Sequence, residues 1–355
     1  MKGFQPFCLS FLSDLLMISM PELFDKIGEQ FLKKRIVIIG DLVADQFLYG
    51  TIARVSREAP VFILRHDETE TLAGGAANAA VNIAALGGTA VLVGLIGKDS
   101  NGRALLEKLE QSKVECQYIV SNKNFRTTTK VRVLAGQYYA PRQQVIRIDY
   151  ENTEEISSAA IDKLKNNFYS AAEHADAIII SDYNYGVANT QIIKIANELS
   201  TAKKIPFLVD SRFGLKNFLG ATSATPNQDE VEQILGEDFT MDDCIKLCET
   251  LGFECLLITR GNSGMLLIEK NKSPVEFEAI GAKEPVDVTG AGDTVIAAYA
   301  LGLASGLSFL EAAKIANHAG GIVVMKKGTA SANLDELLKS LAKNSNSTKE
   351  KRQTL

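Results

Sequence analysis

The sequence has few of the residues that mark fibrous or disordered chains, with 8 prolines and 27 glycines in 355 positions. Since 46% of positions are apolar and 23% are charged, the chain is too apolar for disorder and too mixed for a fibre. The composition is that of a globular protein. Its length fits two domains or one large α/β domain.

Cysteine is also scarce, and the five cysteines lack the paired CxxC spacing of a zinc site. Cys244 and Cys248 lie one helical turn apart, which favours a core face over a metal site. This usage is typical of a reducing compartment, so we expect a cytoplasmic protein. No apolar run reaches the ~20 residues that a membrane span requires.

A strong charge of either sign is missing, because 38 basic and 43 acidic side chains give a net charge of −5. A mildly acidic chain has no general attraction to nucleic acid or to anionic lipid. We therefore expect neither nucleic acid nor a membrane as a partner. Any phosphate that the protein binds must be held by local geometry.

Both ends of the chain differ from its middle. Residues 1–30 are predicted to form an N-terminal extension, with a short apolar run that Asp14 interrupts and no small-residue cleavage site. A loose helix is favoured there, or an upstream start with Met17 or Met20 as the true first residue. Residues 344–355 are polar and are predicted to be a disordered tail.

Between residues 31 and 343, short β-branched runs alternate with segments of helical period. The predicted buried strands are 35–39, 90–94, 177–180, 206–209 and 255–258, and the predicted helices are 76–86, 102–111, 155–173, 190–199 and 241–251. Continuously apolar strands separated by helices predict an α/β fold, with a mostly parallel sheet covered on both faces. Segments 47–65 and 127–149 instead alternate with a period of two, which predicts a small antiparallel sheet.

The two commonest nucleotide motifs are absent. No G-x-x-x-x-G-K-[ST] occurs, and the first strand ends in one glycine, Gly40, where a dinucleotide fold has three. A small-residue loop, Asp287-Val-Thr-Gly-Ala-Gly-Asp293, instead leads into a long apolar helix. Gly290, Ala291 and Gly292 leave backbone N–H groups open at the helix N-terminus, which makes an anion site.

Asp293 begins that helix, where an acidic residue often serves only the first turn. A carboxylate beside an anion-binding loop would repel phosphate, so we expect Asp293 to act on a proton nearby. Two further patterns are weaker alone. One is the start of a predicted helix, which contains Gly74, Gly75 and Asn78. An ordinary Gly-Gly turn before a helix would also explain this pattern. Asn227 and Glu230 can share a helical face, although Thr-Pro-Asn is also ordinary capping.

Together these patterns resemble the PfkB/ribokinase family of sugar kinases across residues 35–330. Residues 73–80 are similar to the family's first signature and 287–293 to its second. Within the family, the sequence most resembles the D-glycero-β-D-manno-heptose 7-phosphate kinases, through residues 40–45, 49–50, 57–60, 129–133, 146–149, 181–183 and 327–329. The resemblance implies one ribokinase-like, doubly wound domain over 31–343, with 47–65 and 127–149 forming a β lid.

The resemblance also implies roles for individual residues in phosphoryl transfer from ATP to a sugar hydroxyl. Asp293 would be the catalytic base, Gly290, Ala291 and Gly292 the anion hole, and Mg²⁺ the metal ion. The sugar would contact Asp45, Gly74, Gly75 and Asn78. The ATP side would be formed by Asn227, Glu230, Thr259, Gly261, Gly264 and Asn317, with Glu230 reaching Mg²⁺ through water. Asp287 is a candidate ligand for K⁺.

A heptose 7-phosphate substrate requires cations for its phosphate. The candidates in the lid are Arg57, Lys130, Arg132, Arg142 and Arg147, of which we expect at least two to face water and assign Lys130, Arg132 and Arg147 to the substrate. Tyr185 stands where close relatives often have lysine, and Arg212 can supply the missing cation. The product would be the 1,7-bisphosphate, a precursor of ADP-heptose. Because the chain ends at residue 355, the resemblance implies that adenylyl transfer needs a separate protein.

Two alternatives remain at this point. The protein could be another sugar or sugar-phosphate kinase of the family, or a non-catalytic regulator that binds sugar or nucleotide. The intact Gly290-Ala-Gly-Asp293 segment argues against the regulator, which would not need the base. A lid with alternating apolar positions would leave one face uncovered, so we expect a homodimer joined through the lids.

Overall fold

The computed structural model describes residues 23–353 apart from 25, 138, 140–141, 153–154 and 282–283, and it describes side chains as far as residue 343. The strands are β1 (Arg35–Gly40), β2 (Leu42–Val55), β3 (Phe62–Gly75), β4 (Thr89–Gly97), β5 (Glu115–Asn122), β6 (Thr128–Gly136), β7 (Gln143–Tyr150), β8 (Ala177–Asp182), β9 (Phe207–Ser211), β10 (Ser223–Ala224), β11 (Cys255–Thr259), β12 (Met265–Glu269) and β13 (Val275–Phe277). The helices are α1 (Ala76–Ala85), α2 (Ser100–Gln111), α3 (Ser158–Ala171), α4 (Thr190–Lys203), α5 (Gln228–Leu235), α6 (Met241–Leu251), α7 (Ala291–Ala304), α8 (Phe309–Val323) and α9 (Leu334–Gln353).

The main sheet has nine strands in the order β13-β12-β11-β10-β9-β8-β1-β4-β5. Strands β4, β1, β8 and β9 pair in parallel, whereas β12, near one edge, pairs antiparallel with both β11 and β13. In β1, Ile36 and Ile38 pack into the core on one face, and Val37 and Ile39 pack into the core on the other. This two-sided burial explains the continuous apolar run, and it confirms the doubly wound α/β fold.

The helices cover the two faces of this sheet. Apolar residues of α1, α2, α7, α8 and α9 pack on one face, and those of α3, α4, α5 and α6 pack on the other. Helix α6 has the bounds predicted from the sequence, and its Cys244 and Cys248 are buried in the core. Among the described residues, no helix is long and apolar enough to cross a membrane.

A second sheet of four strands, in the order β3-β2-β6-β7, projects from the carboxyl edge of the main sheet. We call it the lid. Its outer pairs, β2–β3 and β6–β7, are antiparallel as predicted, but the central pair β2–β6 is parallel. Both central strands leave the same edge of the main sheet, β2 directly after β1 and β6 shortly after β5, so they run outward together. The lid is also larger than segments 47–65 and 127–149, because β2 and β3 extend to Leu42 and Gly75.

The two terminal segments lie partly outside the described residues. Residues 1–22 are not described, whereas Leu23, Ile27 and Phe31 are buried in the same core cluster as residues of α1. The core therefore includes part of the predicted N-terminal extension 1–30. At the other end, the backbone of α9 is helical to Gln353, and the side chains after 343 are not described. The disordered tail over 344–355 stays a prediction.

Candidate active site

A cavity of about 80 Å³ lies where the lid meets the carboxyl edge of the main sheet. Open α/β sheets bind their ligands at this edge, because the loops that leave the strand ends converge there. Six charged side chains line the cavity, namely Asp45, Lys130, Arg132, Arg147, Arg212 and Asp293. Four are cationic and two are anionic, so the lining side chains have an excess of two positive charges, while Asp149 and Glu151 pair with Lys130 and Arg147 from outside the lining.

Asp293 lies in the first turn of α7 and is 3% exposed. The Tyr183 hydroxyl donates to its Oδ1 at 2.9 Å, and Asn78 Nδ2 donates to its Oδ2 at 2.8 Å. Burial raises the pKa of Asp293 to about 6, although the hydrogen bonds from Asn78 and Tyr183 and the charge of Arg212 oppose the rise. A carboxylate with this pKa is ionised at neutral pH and basic enough to accept a proton.

The loop before α7 brings backbone close to Asn78. Gly290, the N-cap, has φ +77°, and a Cβ there would lie 2.5 Å from Asn78 Nδ2, so only glycine fits. The Ala291 N–H donates to the carbonyl of Val288 at 3.2 Å. The N–H groups of Gly290 and Gly292 have no acceptor within the described part of the chain. Two of the three amides predicted for the anion hole are therefore open, and the third is used within the loop.

The residues predicted for the sugar side lie at the cavity or beside it. Asp45, on β2, is buried and forms an ion pair with Arg132 of the adjacent strand β6. A Cβ at Gly74 would lie 2.6 Å from Asp45 Oδ2, so glycine leaves room for this carboxylate. Gly75 and Asp293 line the same cavity.

The five lid cations divide into two groups. Lys130 Nζ lies 3.0 Å from the Tyr185 hydroxyl, and burial lowers the pKa of Lys130 despite its carboxylate neighbours. Arg147 donates twice to Asp149. These two and Arg132 line the cavity, whereas the exposed Arg57 and Arg142 are not among its lining residues.

Tyr183 and Arg212 also line the cavity. The sequence motifs give Tyr183 no site role, whereas Arg212 is predicted as a replacement cation. The Arg212 guanidinium lies 4.4 Å from the centre of the Tyr183 ring. Arg212 follows β9 and Tyr183 follows β8, so both come from the carboxyl ends of neighbouring parallel strands. A polar residue one or two positions after a buried strand is the signal that points to them.

The loop that carries Tyr183 is fixed by a buried carboxylate. Asp41 accepts hydrogen bonds from the backbone N–H groups of Tyr183, Tyr185 and Val187 at 2.9, 3.0 and 3.1 Å. Burial raises the pKa of Asp41 to about 6, against the effect of these hydrogen bonds. Asp41 therefore organises the loop and does not line the cavity.

The residues predicted for the ATP side lie along the same edge of the sheet but outside the cavity. Asn227 and Glu230 form a reciprocal capping box at the start of α5, with both hydrogen bonds at 2.8 Å. Asn227 also forms a β-bridge with Thr259. The capping alternative for this pair is therefore what the geometry displays.

Of the other predicted ATP-side residues, Asn317 and Gly264 make structural contacts. Asn317, on α8, donates to the backbone carbonyl of Glu278 at 2.8 Å. Gly264 has φ +83°, and any Cβ there would collide with the Phe277 carbonyl. Gly261, with φ +52°, has nothing within 4 Å of a Cβ position and faces open space. These residues shape the surface beside β11 and β12.

The candidate metal ligands are the carboxylates of Glu230 and Asp287. No cluster of three or more histidine, cysteine or acidic side chains suited to a metal ion occurs among the described residues. Glu230 uses one carboxylate oxygen for the Asn227 N–H, so its other oxygen is open to a metal-bound water. Asp287 accepts N–H groups of Thr289 and Gly328, both at 2.9 Å, and these bonds outweigh burial to lower its pKa. The chemistry of Glu230 thus fits Mg²⁺ held through water.

The pfkB family carbohydrate kinase profile matches residues 33–336, nearly all of the described chain. The chain belongs to the pfkB family. As a member of this family it is a carbohydrate kinase, a phosphotransferase that acts on a sugar hydroxyl, and its family uses ATP, generally with Mg²⁺. This establishes the enzyme class that the Asp293 geometry suggests.

Among curated pfkB relatives, the chain is 39% identical over 313 residues to the bifunctional protein HldE of Pasteurella multocida (strain Pm70). It is also 39% identical over 316 residues to the bifunctional protein HldE of Coxiella burnetii (strain Dugway 5J108-111). Each match covers 87% of the chain but only 63% or 64% of the relative. The chain therefore spans less than two thirds of the length of these relatives.

Solved structures support the fold. Arabidopsis thaliana ribokinase, complexed with ribose and ATP, matches with a TM-score of 0.65 and 23% identity, covering 87% of this chain and 98% of the other. Phosphofructokinase-2 of Escherichia coli, in complex with potassium, matches with a TM-score of 0.69 and 18% identity, covering 88% and 99%. The fold is ribokinase-like, as predicted.

Proposed function

We propose that this pfkB kinase transfers the γ-phosphoryl group of ATP to the anomeric hydroxyl of D-glycero-β-D-manno-heptose 7-phosphate, which gives the 1,7-bisphosphate. The observation that carries the proposal is the cavity with Asp293 and four cations, whose excess of two positive charges matches a phosphate dianion. Similarity to the HldE proteins supports a heptose as the sugar. The cytoplasm supplies ATP, and the described cysteines are free thiols, so we place the reaction there.

Asp293 accepts the proton of the attacking hydroxyl in this proposal. Both of its oxygens hold one hydrogen bond each, from Tyr183 and Asn78, so the carboxylate keeps one orientation. A general base in this position contributes typically ~10²–10⁴-fold to the rate. The raised pKa favours the transfer, because a more basic carboxylate accepts the proton more readily.

The open N–H groups of Gly290 and Gly292 stabilise the negative charge of the phosphoryl group during transfer. Mg²⁺, when bound, neutralises charge on the ATP phosphates. Glu230 would hold the ion through water with its open carboxylate oxygen. Asp287, whose oxygens accept two N–H groups, would offer K⁺ its remaining lone pairs.

Lys130, Arg147 and Arg212 bind the 7-phosphate in this proposal. Arg132 is the cation with a buried partner of its own, Asp45. Lys130 and Arg147 pair with the partly exposed Asp149, and Arg212 forms no ion pair among the described residues, so a phosphate dianion can compete for these three cations. Anchoring the remote phosphate places the anomeric hydroxyl at Asp293, so the anchor contributes to turnover as well as to affinity.

We also propose that two chains associate through their lids. The alternation of β6 and β7 turns Lys130, Arg132 and Arg147 to the cavity, and it turns Val131, Val133, Ile146 and Ile148 to the opposite face of the lid. Ile146 is 53% exposed on that face. An exposed apolar sheet face is typical of an interface.

The test of function is a coupled assay of ADP release with heptose 7-phosphate, fructose 6-phosphate, ribose and fructose as acceptors. Charge-assisted contacts contribute roughly 1.5–3 kcal/mol each, so two of them favour a phosphorylated acceptor by at least ~100-fold in kcat/KM. Arg147→Gln should remove much of this preference. Arg65→Gln is the matched control, since Arg65 is an exposed lid arginine. A free sugar as the best acceptor would overturn the heptose assignment and leave the kinase class intact.

A further inference from the structure

We propose that Tyr183 is a positioning residue of the kinase, whose hydroxyl holds the Asp293 carboxylate in the orientation and charge state that accept the substrate proton. The proposal rests on the role of Asp293 as base. Tyr183 Oη lies 2.9 Å from Asp293 Oδ1, while Asn78 occupies Oδ2. The carboxylate is thus fixed from two sides by donors on two different elements, the loop after β8 and helix α1.

Tyr183 can only donate in this hydrogen bond. Burial, together with the negative charges of Asp293 and Asp210, raises the pKa of Tyr183 well above its ordinary value, so the phenol stays protonated. An ionised carboxylate only accepts hydrogen bonds, whereas a protonated carboxyl group has one O–H donor and less capacity to accept them. The Tyr183 hydroxyl therefore stabilises the charged form of Asp293 that a general base requires.

The position of Tyr183 does not depend on Asp293. Its backbone N–H is held by Asp41 at 2.9 Å, in the same set of bonds that fixes the following loop. One side of the ring lies near Gly75, where an added Cβ would be 3.4 Å from two ring carbons. The Arg212 guanidinium lies 4.4 Å from the ring centre. The ring is therefore oriented before any substrate binds, which is what a positioning residue needs.

Other charged groups also act on Asp293, so the test must isolate the hydroxyl. Arg212, from the loop after β9, stabilises the charged form, whereas Asp45 on β2 and Asp210 on β9 disfavour it. The substitution Tyr183→Phe removes one oxygen, which also interacts with the Arg212 guanidinium, and it leaves the ring in place beside Arg212. It alters none of these charges.

The experiment is the pH dependence of kcat/KM, measured with whichever acceptor in the panel is best, for wild type, Tyr183→Phe and Tyr169→Phe. Tyr169 is the matched control, because it is an exposed tyrosine on α3 whose hydroxyl lies 3.5 Å from Glu198. We expect the acidic limb of Tyr183→Phe to move upward by about one pH unit, since one lost hydrogen bond to a charge corresponds to that shift. The acidic limb of Tyr169→Phe should coincide with that of wild type. The KM for ATP should be the same in wild type and in both variants.

Unfolding that is uniform across the pH range would leave the limb in place, whereas acid unfolding of Tyr183→Phe would move it upward. Far-UV circular dichroism of the variant at each assay pH separates the two, and the proposal requires a shifted limb while the variant is fully folded. A second measurement is a double-mutant cycle. In the Asp293→Asn background, Tyr183→Phe should lower turnover by less than twofold, because the base on which it acts is gone. An unshifted limb, or an equal loss in both backgrounds, overturns the proposal while Asp293 keeps its role. An Asp293→Asn variant with wild-type turnover overturns the base assignment and this proposal together.

Discussion

Asn78 Nδ2 donates to Asp293 Oδ2 at 2.8 Å, although the two residues are 215 positions apart in the chain. The contact belongs to a buried network, because Asn82 Nδ2 donates to Asn78 Oδ1 and Thr294 Oγ1 donates to Asn82 Oδ1. Every member is buried and partnered, so the network fixes the starts of α1 and α7 against each other. The two sequence signatures at 73–80 and 287–293 are thus two halves of one structure.

Asp293→Asn keeps the shape of the side chain and removes the carboxylate. Turnover should fall at least ~100-fold while ATP binding survives, because the base acts on the hydroxyl proton and not on the nucleotide. In the wild type, the pKa of about 6 means that Asp293 becomes protonated below that pH, so kcat/KM should decline on the acidic side. Stopped assays from pH 5 to pH 8, with calorimetric titration of ATP, check both statements. A variant with more than a tenth of wild-type turnover would falsify the assignment.

Comparison of Gly290→Ala with a control variant should separate the cost of backbone strain from the loss of activity. At φ +77° an alanine costs about 1–2 kcal/mol, and its Cβ would also lie 2.5 Å from Asn78 Nδ2. Gly306→Ala is the matched control, since Gly306 has the same φ of +77° and nothing within 4 Å of the Cβ position. Both variants should unfold at lower denaturant concentration. Only Gly290→Ala should lose tenfold or more in turnover, and equal turnover in the two would contradict the role of the Asn78 contact.

Asp45→Asn should raise the KM for the sugar without changing the KM for ATP. It also leaves Arg132, whose side chain is 14% exposed, without its carboxylate. Breaking such a buried pair costs about 3 kcal/mol or more in the free energy of unfolding. Asp67→Asn, which breaks the exposed pair with Arg142, should cost under about 1 kcal/mol. Urea unfolding and initial-rate kinetics give the comparison, and an unchanged sugar KM would remove Asp45 from the substrate site.

Ile146→Glu should convert a dimer into a monomer, since it places a charge on the outer apolar face of the lid. We expect wild type to scatter light as a particle of twice 38.5 kDa and the variant as one of 38.5 kDa. Leu219→Glu is the control, because Leu219 is 58% exposed but lies far along the chain from the lid, between β9 and β10. Association through the lids is excluded if wild type is monomeric and active at micromolar concentration.

The architecture of the main sheet could be predicted because its signals are local. In β1, every residue from Ile36 to Gly40 is buried, so the apolar run is uninterrupted, and in α6 the start at Met241 is marked by the Thr240 capping box. The parallel pairing of β2 with β6 could not be predicted. Period-two alternation defines which face a side chain occupies, but it contains no information about the direction of a distant neighbouring strand.

Part of the site could be predicted from its two glycine-containing motifs. Glycine is needed at Gly290 and Gly74, because the side chains of Asn78 and Asp45 lie where a Cβ would be. The proposed role of Tyr183 could not be predicted from the sequence. It depends on Asp41, a buried carboxylate whose partners are backbone N–H groups of another segment. Long-range hydrogen bonds of this kind leave no periodicity in the sequence. The roles of Asn227 and Glu230 toward ATP stay a prediction, since their capping box accounts for the contacts they make here.

The arrangement of the site on separate segments sets when an enzyme molecule becomes active during its synthesis. Asp45 and Asp293 are about 250 residues apart, and at ~5–20 residues per second the ribosome needs roughly 12–50 s to pass from one to the other. Before residue 293 is made, the chain already contains the lid with its cations and the loop that carries Tyr183. It does not yet contain Asp293, the proposed base. With Asp293 as the proposed base, turnover requires that α7 has docked on α1, so we expect a chain that still lacks α7 to consume no ATP.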